Sequence, residues 1–358
     1  MLSKEVVELS KQHSIIRDIF EYGMKRAKEV GAENVFDFSI GNPSVPAPKE
    51  IDETALRLLK TADPVDMRPT ADYTMWRKRK SANMLKTADP VDIHGYTSNA
   101  GVLEVRENIA KSLNKRFDTN YTAANIFMTI GAAAALGICF KTLVDGPEDE
   151  VITFAPHFPE YAVYAQGAGC RLKVISADTR AFQINFEELE ETINEHTKAI
   201  LINSPNNPSG VVYSRETIEK LAALLEKKQK EYGHSIYIIS DEPYREIAYD
   251  GFEVPYVPHF YNNTLVAYSF SKSLSLPGER IGYIVAPNEA EDFEQLLPAF
   301  IASARLLSYV CVPTLYQKVV GECVDLTSDL SIYQKNKDLF YNALVDMGYQ
   351  EHYRRYGC

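Results

Sequence analysis

The chain has 358 residues, of which 45% are hydrophobic, so it is long enough for one large and one smaller folded core. Its formal net charge of -11 disfavours nucleic acid and anionic membranes as partners, and no apolar run reaches the roughly 20 residues of a membrane span. The five cysteines and seven histidines follow no metal-ligand spacing, which predicts no metal site and reduced thiols in a cytoplasmic protein.

The N-terminal region begins with helical periodicity. Residues 3–31 predict an amphipathic helix that ends at Gly31, and they lack the apolar core of a signal peptide. A strand-like run over 35–40 then leads into Gly41, which is followed by asparagine and proline. Glycine at such a position lets the backbone approach a ligand, although an ordinary turn is the better explanation of this segment taken alone.

The octapeptide LKTADPVD occurs twice, at residues 59–66 and 85–92. Two copies without a third build no solenoid, so we interpret residues 67–92 as a local duplication or insertion.

The next segment predicts a helix over 102–117 and a strand over 125–130, after which Gly131 and a run of alanines open another helix. Small residues at a strand-to-helix turn leave the first backbone N–H groups free. Together with the helix dipole, these groups form an anion site. An ordinary alanine-rich helix start is the alternative.

The middle of the chain alternates short apolar strands with helices. The strand over 151–154 leads to Phe158, an aromatic that either stacks on a flat ring or packs in the core. The strand over 199–203 is followed by SPNNPSG, whose prolines and glycine fix the amides of a rigid loop at 204–210. Further strands are predicted over 170–176, 235–241 and 264–268, and helices over 186–193 and 215–231. This alternation predicts a parallel sheet covered by helices on both faces.

Two of these strands lead to side chains that could take part in catalysis. Asp241 needs a cationic partner, for which a pyridinium N–H is suitable, unless it caps the turn that follows. Lys272 comes just after a buried strand, so desolvation and nearby cations lower its pKa towards a neutral, nucleophilic amine. Serine hydroxyls and Arg280 supply donors for a phosphate. A lysine for a carbonyl and an arginine for a phosphate together predict pyridoxal phosphate (PLP); a solvated loop lysine is the alternative.

The motifs GNPSVPAP, GAAAAL, SPNNPSG, SDEPY and SFSKSLSLPGERIGY follow one another in this order. Over about residues 15–350 the chain resembles the class I/II PLP-dependent aminotransferases of fold type I, which include aspartate aminotransferase. The resemblance implies a mainly parallel mixed sheet sandwiched by helices, with a smaller α+β domain that is expected to be incomplete relative to the family. The implied division is an N-terminal arm and part of the small domain over 1–50, a large PLP-binding domain over 51–286, and a small C-terminal domain over 287–358.

The resemblance also implies roles for individual residues. Lys272 forms the internal aldimine and acts as general base and acid, Asp241 pairs with the pyridine nitrogen, and Tyr244 and Asn207 bind the ring oxygen. The remaining expected contacts are Phe158 on the ring face; the Ala132 and Ala133 amides, Ser269 and Arg280 on the phosphate; Tyr96 on the phosphate of a neighbouring subunit, which implies a homodimer; and Gly41 with Asn207 on the substrate.

The function implied is transfer of an amino group between an L-amino acid and a 2-oxo acid by a ping-pong route. The family's chain continues past residues 348–349 with an arginine that binds the substrate carboxylate, and no residue here matches it. A PLP-dependent C–S β-lyase and a PLP-binding protein with impaired catalysis therefore stay open as alternatives.

Overall fold

A computed structural model of the chain describes residues 15–35, 45–60, 93–176, 182–249 and 251–349. The chain divides into two compact units, residues 1–44 and 45–358. In the first unit, helix α1 spans Ile15–Val30 and a 3₁₀ turn spans Ala32–Asn34. The predicted helix end at Gly31 is confirmed, with a left-handed φ of 90° at that glycine.

The second unit is built on one sheet of seven strands in the order β1-β7-β6-β5-β4-β2-β3. The strands from β2 to β6 pair in parallel, whereas β7 is antiparallel to both β1 and β6. The chain between β6 and β7 contains only a four-residue helix, too little for a crossover, so β7 runs back beside β6. The strands are β1 (Ile126–Thr129), β2 (Glu150–Phe154), β3 (Arg171–Ile175), β4 (Thr197–Asn203), β5 (Tyr237–Asp241), β6 (Thr264–Ser269) and β7 (Gly282–Val285).

Helices surround this sheet, and 3₁₀ turns at Ala123–Asn125 and Val257–His259 precede β1 and β6. The helices are α2 (Lys49–Lys60), α3 (Leu103–Phe117), α4 (Ala132–Leu143), α5 (Glu160–Ala168), α6 (Phe186–Thr192), α7 (Arg215–Tyr232), α8 (Phe270–Ser273), α9 (Phe293–Leu306), α10 (Thr314–Glu322) and α11 (Ser331–Asp346).

The sheet separates the hydrophobic core into layers because side chains alternate between its two faces. Leu265 and Ala267 of β6 share a buried cluster with residues of α4, α5 and α9. Val266, between them, belongs to a cluster on the opposite face with residues of α3 and α10. On that same face, Ile200 and Ile202 of β4 pack with α6 and α7. The prediction of a mainly parallel mixed sheet sandwiched by helices is therefore confirmed.

The domain boundaries at residues 50 and 286 stay a prediction. The predicted insertion at 67–92 and all but the first residue of the strand predicted over 35–40 lie outside the described residues. In the part of the chain that the structure describes, no helix combines the length and apolar character needed to cross a membrane.

The start of β7 is packed too closely for any side chain. A Cβ at Gly282 would lie 2.2 Å from the backbone oxygen of Tyr268 and 3.2 Å from backbone atoms of Gly131. Because backbone atoms cannot rotate away, we expect Gly282→Ala to lower the free energy of unfolding by about 1–3 kcal/mol in urea denaturation. Gly278→Ala is the control, since nothing lies within 4 Å of a Cβ there. Equal losses for the two variants would contradict this packing.

Candidate active site

The candidate site lies where parallel strands end side by side. The carboxyl ends of parallel strands share one edge of the sheet, which is where open α/β sheets bind ligands. Asn203 ends β4 and pairs in register with Asp241, which ends β5. Asp241 pairs in turn with Ala267 near the end of β6. The sheet thus brings together segments that are distant in the sequence.

Asp241 is the most deeply buried charged group of the site, at 5% exposure. The hydroxyl of Tyr161, on α5, donates a hydrogen bond of 2.7 Å to its Oδ2. Its other oxygen, Oδ1, is buried and has no hydrogen-bond partner among the described residues. Burial raises the pKa of Asp241 to about 7, against the hydrogen bond from Tyr161, which lowers it, while the neighbouring Glu242 adds a smaller increase.

A buried carboxylate oxygen without a donor costs about 1–3 kcal/mol, and more when the group is charged. A ligand that brings a cationic N–H to Oδ1 of Asp241 would recover this free energy. The orphaned oxygen is therefore an observed feature that fits a pyridinium ring nitrogen.

The loop after β4 is tied directly to Asp241. The side-chain amide of Asn203 donates to the backbone oxygen of Asp241 at 2.8 Å, and its Oδ1 accepts from the backbone N–H of Asn207 at 2.6 Å. Within the loop, Oδ1 of Asn206 accepts from the backbone N–H of Ser209 at 3.0 Å. Asn207 is therefore held in a fixed, half-buried position beside the strand end.

Lys272 lies on α8, immediately after β6, and is half-buried. Its Nζ is 5.9 Å from the centre of the Tyr244 ring. Burial lowers the pKa of Lys272, and the positive charge of Arg280 lowers it further. Partial shielding from water and a nearby cation, as expected from the sequence, both favour a neutral amine, while the role of Lys272 stays a prediction.

A candidate anion cradle lies where α4 begins. Gly131 precedes the helix without any side-chain cap, so the first-turn amides, including those of Ala132 and Ala133, have no acceptor within the helix. Arg280 lies against this turn, because a Cβ at Gly131 would be 2.8 Å from its Nη2. Bare amides at the positive end of a helix dipole, together with a guanidinium, suit a phosphate.

Arg280 adopts a left-handed φ of 52°, a conformation that residues with side chains rarely adopt. Such strain persists where the surroundings impose it, often at ligand sites. Beside it across the β6–β7 pairing, the Oγ atoms of Ser269 and Ser271 lie 2.7 Å apart, and Ser269 Oγ accepts from the Ser271 N–H at 3.2 Å. Ser271 is thus a second hydroxyl next to that of Ser269, whose role on the phosphate stays a prediction.

Phe158 is half-buried, and its ring meets that of Tyr161 edge-on at a centroid distance of 5.7 Å. It therefore lies next to the residue that binds Asp241. Tyr96 is different, because its side chain is 98% exposed and open to solvent. Gly41 lies outside the described residues. The ligand-binding roles of all these residues stay predictions.

Two residues of the site were missed by sequence reasoning. Tyr161 lies on α5, three positions after Phe158, and its closeness in the sequence to that aromatic was the available signal. Asn203 is the last residue of β4, and a polar residue ending a buried strand beside Asp241 was the available signal.

Comparison with known proteins assigns the chain to a family. The aminotransferase class I and II family matches residues 35–354. The chain belongs to this family.

Three relatives illustrate the similarity of this aminotransferase-family chain. A crystal structure of an amino transferase from Eubacterium rectale is 50% identical and covers 98% of this chain and 81% of its own, with a TM-score of 0.87. The aspartate aminotransferase structure from Thermotoga maritima is 27% identical and covers 98% of this chain and 82% of its own, with a TM-score of 0.78. A probable N-acetyl-LL-diaminopimelate aminotransferase from Bacillus subtilis is 30% identical over 72% of this chain, which spans 63% of that relative's length.

The buried carboxylate gives a prediction for the cofactor-free protein. Because the folded-state pKa of Asp241 is about 7 and its ordinary value is 3.8, the folded state binds a proton that the unfolded state releases. Stability is therefore lost as pH rises from about 4 to 7. Asp241→Asn cannot ionise, so this loss is absent from the variant. The difference in unfolding free energy between the variant and wild type, measured by urea denaturation, should shift in favour of the variant by on the order of 4 kcal/mol between pH 4 and pH 7.

The control is Asp145→Asn, because the Asp145 side chain is 95% exposed. It should leave the pH dependence of the unfolding free energy as in wild type. The same pH dependence in Asp241→Asn and wild type would contradict the buried state of this carboxylate.

Proposed function

We propose that the protein is a PLP-dependent aminotransferase that moves an amino group between an L-amino acid and a 2-oxo acid by a ping-pong mechanism. One observation carries the proposal: a buried oxygen of Asp241 that has no hydrogen-bond partner among the described residues lies at the same edge of the sheet as Lys272, whose pKa is lowered. Membership of the aminotransferase family supports it independently.

The residues present fit PLP at each of its reactive ends. Lys272 would bind its aldehyde carbon, Asp241 its ring nitrogen, and the cradle of Ala132, Ala133 and Arg280 its phosphate. Asn207 and Tyr244 would hold its ring oxygen, with Phe158 on the ring face. When bound, PLP supplies an electron-withdrawing ring that acidifies the α-hydrogen of an attached amino acid.

The chain's own groups would then control protons and water. Tyr161 fixes one oxygen of Asp241, so the other is oriented to keep a proton at a ring nitrogen. The Nζ of Lys272, whose pKa is lowered by burial and by Arg280, would take a proton from the substrate carbon and return it. The rigid loop of Asn207 would orient the substrate.

The names of the relatives suggest which substrates to test first. The named relatives include an aspartate aminotransferase and a probable N-acetyl-LL-diaminopimelate aminotransferase. We therefore place aspartate and N-acetyl-LL-diaminopimelate first among the amino donors to be tested.

We also propose a homodimer in which Tyr96 binds the phosphate held by the partner subunit. Its 98% exposed ring is available for such a contact. Leu306, Leu307 and Val310 expose 68%, 41% and 55% of their surface, which supports a further covered face. A cytoplasmic location is supported by the free thiols of the four described cysteines.

The proposed activity is tested by a spectral titration of the PLP-loaded protein with a panel of amino acids, followed by a 2-oxo acid. Transamination requires that an amino acid shifts the cofactor's absorption and that a 2-oxo acid restores it. Release of pyruvate and ammonia without a 2-oxo acid would indicate a β-lyase. A band that no amino acid shifts would indicate binding without catalysis.

The covalent attachment gives the next prediction. Lys272→Ala removes the amine that binds the aldehyde, so we expect it to abolish the visible absorption band of the PLP-loaded protein. Lys111→Ala, on the exposed side of α3, is the control and should retain the band. Survival of the band in Lys272→Ala would refute the attachment.

The anion cradle is tested by comparing PLP with pyridoxal, which lacks the phosphate. Loss of a charged hydrogen bond costs about 1.5–3 kcal/mol, so Arg280→Ala should raise the Kd of PLP by about tenfold or more. The Kd of pyridoxal should change little, as measured by fluorescence titration. Arg215→Ala, at a side chain 70% exposed, is the control. Equal weakening of both ligands would place the phosphate elsewhere.

A further inference from the structure

A buried ion pair lies directly behind the candidate site. The side chains of Glu242 and Arg245 are each 3% exposed, and Nη2 of Arg245 lies 2.5 Å from Oε2 of Glu242. Nε of Arg245 donates to the same oxygen at 2.5 Å, while Ser240 Oγ donates to Oε1 at 2.7 Å. Because side chains alternate along an extended chain, Glu242 points to the face opposite Asp241. The pair thus begins at the residue next to Asp241.

The guanidinium of Arg245 is surrounded by aromatic rings. Its central carbon lies 5.0 Å from the ring centre of Tyr268, 5.2 Å from that of Phe117 and 5.5 Å from that of Tyr256. Cations at this distance from ring faces are attracted to them. Arg245 therefore joins the end of β5 to β6, where Tyr268 is located.

Tyr268 extends this connection to the lysine-bearing helix. Its hydroxyl lies 2.8 Å from Oγ of Ser273 and 2.9 Å from Oε2 of Glu246, within hydrogen-bond distance of both. Ser273 directly follows Lys272, and its backbone oxygen accepts from the N–H of Ser328 at 2.7 Å. The helical turn that carries Lys272 is thus fixed by the contacts that Ser273 makes with Tyr268 and Ser328.

A buried ion pair contributes little to stability, because the cost of removing both charges from water offsets their attraction. Replacement of such a pair by neutral groups of similar shape is often tolerated. What arginine adds is a rigid planar group that makes directional hydrogen bonds and stacks on aromatic rings. An arginine can therefore fix the relative positions of the elements that it contacts.

We propose that Arg245 is a positioning residue that fixes the spacing between Asp241 and Lys272. It does so through Glu242 on one side and through Tyr268 and Ser273 on the other. The inference rests on the proposed function, in which Asp241 and Lys272 hold opposite ends of the same cofactor.

The test uses full-length protein and PLP. Arg245→Met keeps an unbranched side chain that can stay buried, but it shortens the side chain and removes the charge and the planar group. We expect it to raise the Kd of PLP by about tenfold, the loss expected for one charged hydrogen bond. We also expect a weaker induced circular dichroism signal at the cofactor's visible band, because that signal reports the orientation of the ring. All measurements are made below the unfolding temperature of each variant.

The double variant Glu242→Gln with Arg245→Met separates the effect of Arg245 on the positions of Asp241 and Lys272 from its effect on protein stability. Arg245→Met alone leaves a buried carboxylate unpaired and should lower Tm, whereas the double variant leaves no unpaired charge and should recover it. The Kd of PLP should stay raised in the double variant, because the connection is still missing. If Arg245→Met does not fold, the double variant alone carries the comparison. Recovery of wild-type affinity in the double variant would overturn the proposal.

Arg106→Met is the matched control for loss of a buried arginine. Arg106 is 9% exposed, and its Nη1 donates to the backbone oxygen of Ala123 at 2.8 Å. This variant should lower Tm but keep the wild-type Kd of PLP and the circular dichroism signal. If it weakens PLP binding as much as Arg245→Met does, the effect belongs to general stability and the proposal is wrong.

Failure of this inference is distinguishable from failure of the proposed function. A wild-type protein that shows no PLP band dependent on Lys272 would refute the proposed function. A wild-type protein that shows the band, together with an Arg245→Met variant of equal affinity and equal circular dichroism, would refute only the role of Arg245.

Discussion

One oxygen of the Asp241 carboxylate accepts a hydrogen bond from Tyr161, while the other lies buried with no donor in the described parts of the chain. This arrangement is unfavourable by itself, so the surrounding fold must stabilise it. Asp241 ends β5, which is the central strand of the seven, with strands on both sides and apolar layers on both faces. The free energy of burying those layers offsets the cost of holding one carboxylate away from water.

The same strand organises the rest of the site through its neighbours. Its register with β4 sets Asn203 against the backbone of Asp241, and Asn203 in turn fixes the loop of Asn207. Its parallel pairing with β6 places the chain that carries Lys272 at the same edge. The alternation of side chains sends Asp241 to one face and Glu242 to the other, so the ligand side and the supporting side of the sheet begin at adjacent residues.

Much of this arrangement was predictable from the sequence. Buried parallel strands read as short apolar runs, and a lysine, an aspartate and an arginine at their ends are costly unless they have partners. The contacts that could not be predicted depend on how elements pack in three dimensions. Tyr161 reads as a core aromatic on a short helix, and only the docking of α5 brings its hydroxyl to Asp241.

The direction of β7 and the surroundings of Arg245 could not be predicted from the sequence for the same reason. The run at 282–285 is apolar like its neighbours, and its antiparallel pairing depends on the length of the connection from β6. Arg245 follows a proline turn and reads as an exposed polar residue. The rings that enclose it come from three other parts of the chain, so no local pattern in the sequence reveals them.

The reversal between β6 and β7 has one more consequence. Ser269 and Gly282 face each other across the two strands, so the chain that leaves the sheet at one returns at the other. Lys272 and Arg280 both belong to this single closed excursion. A shift of this segment relative to the surrounding layers would therefore displace both side chains together, so the separation of the Lys272 amine from the Arg280 guanidinium is set within one short stretch of chain.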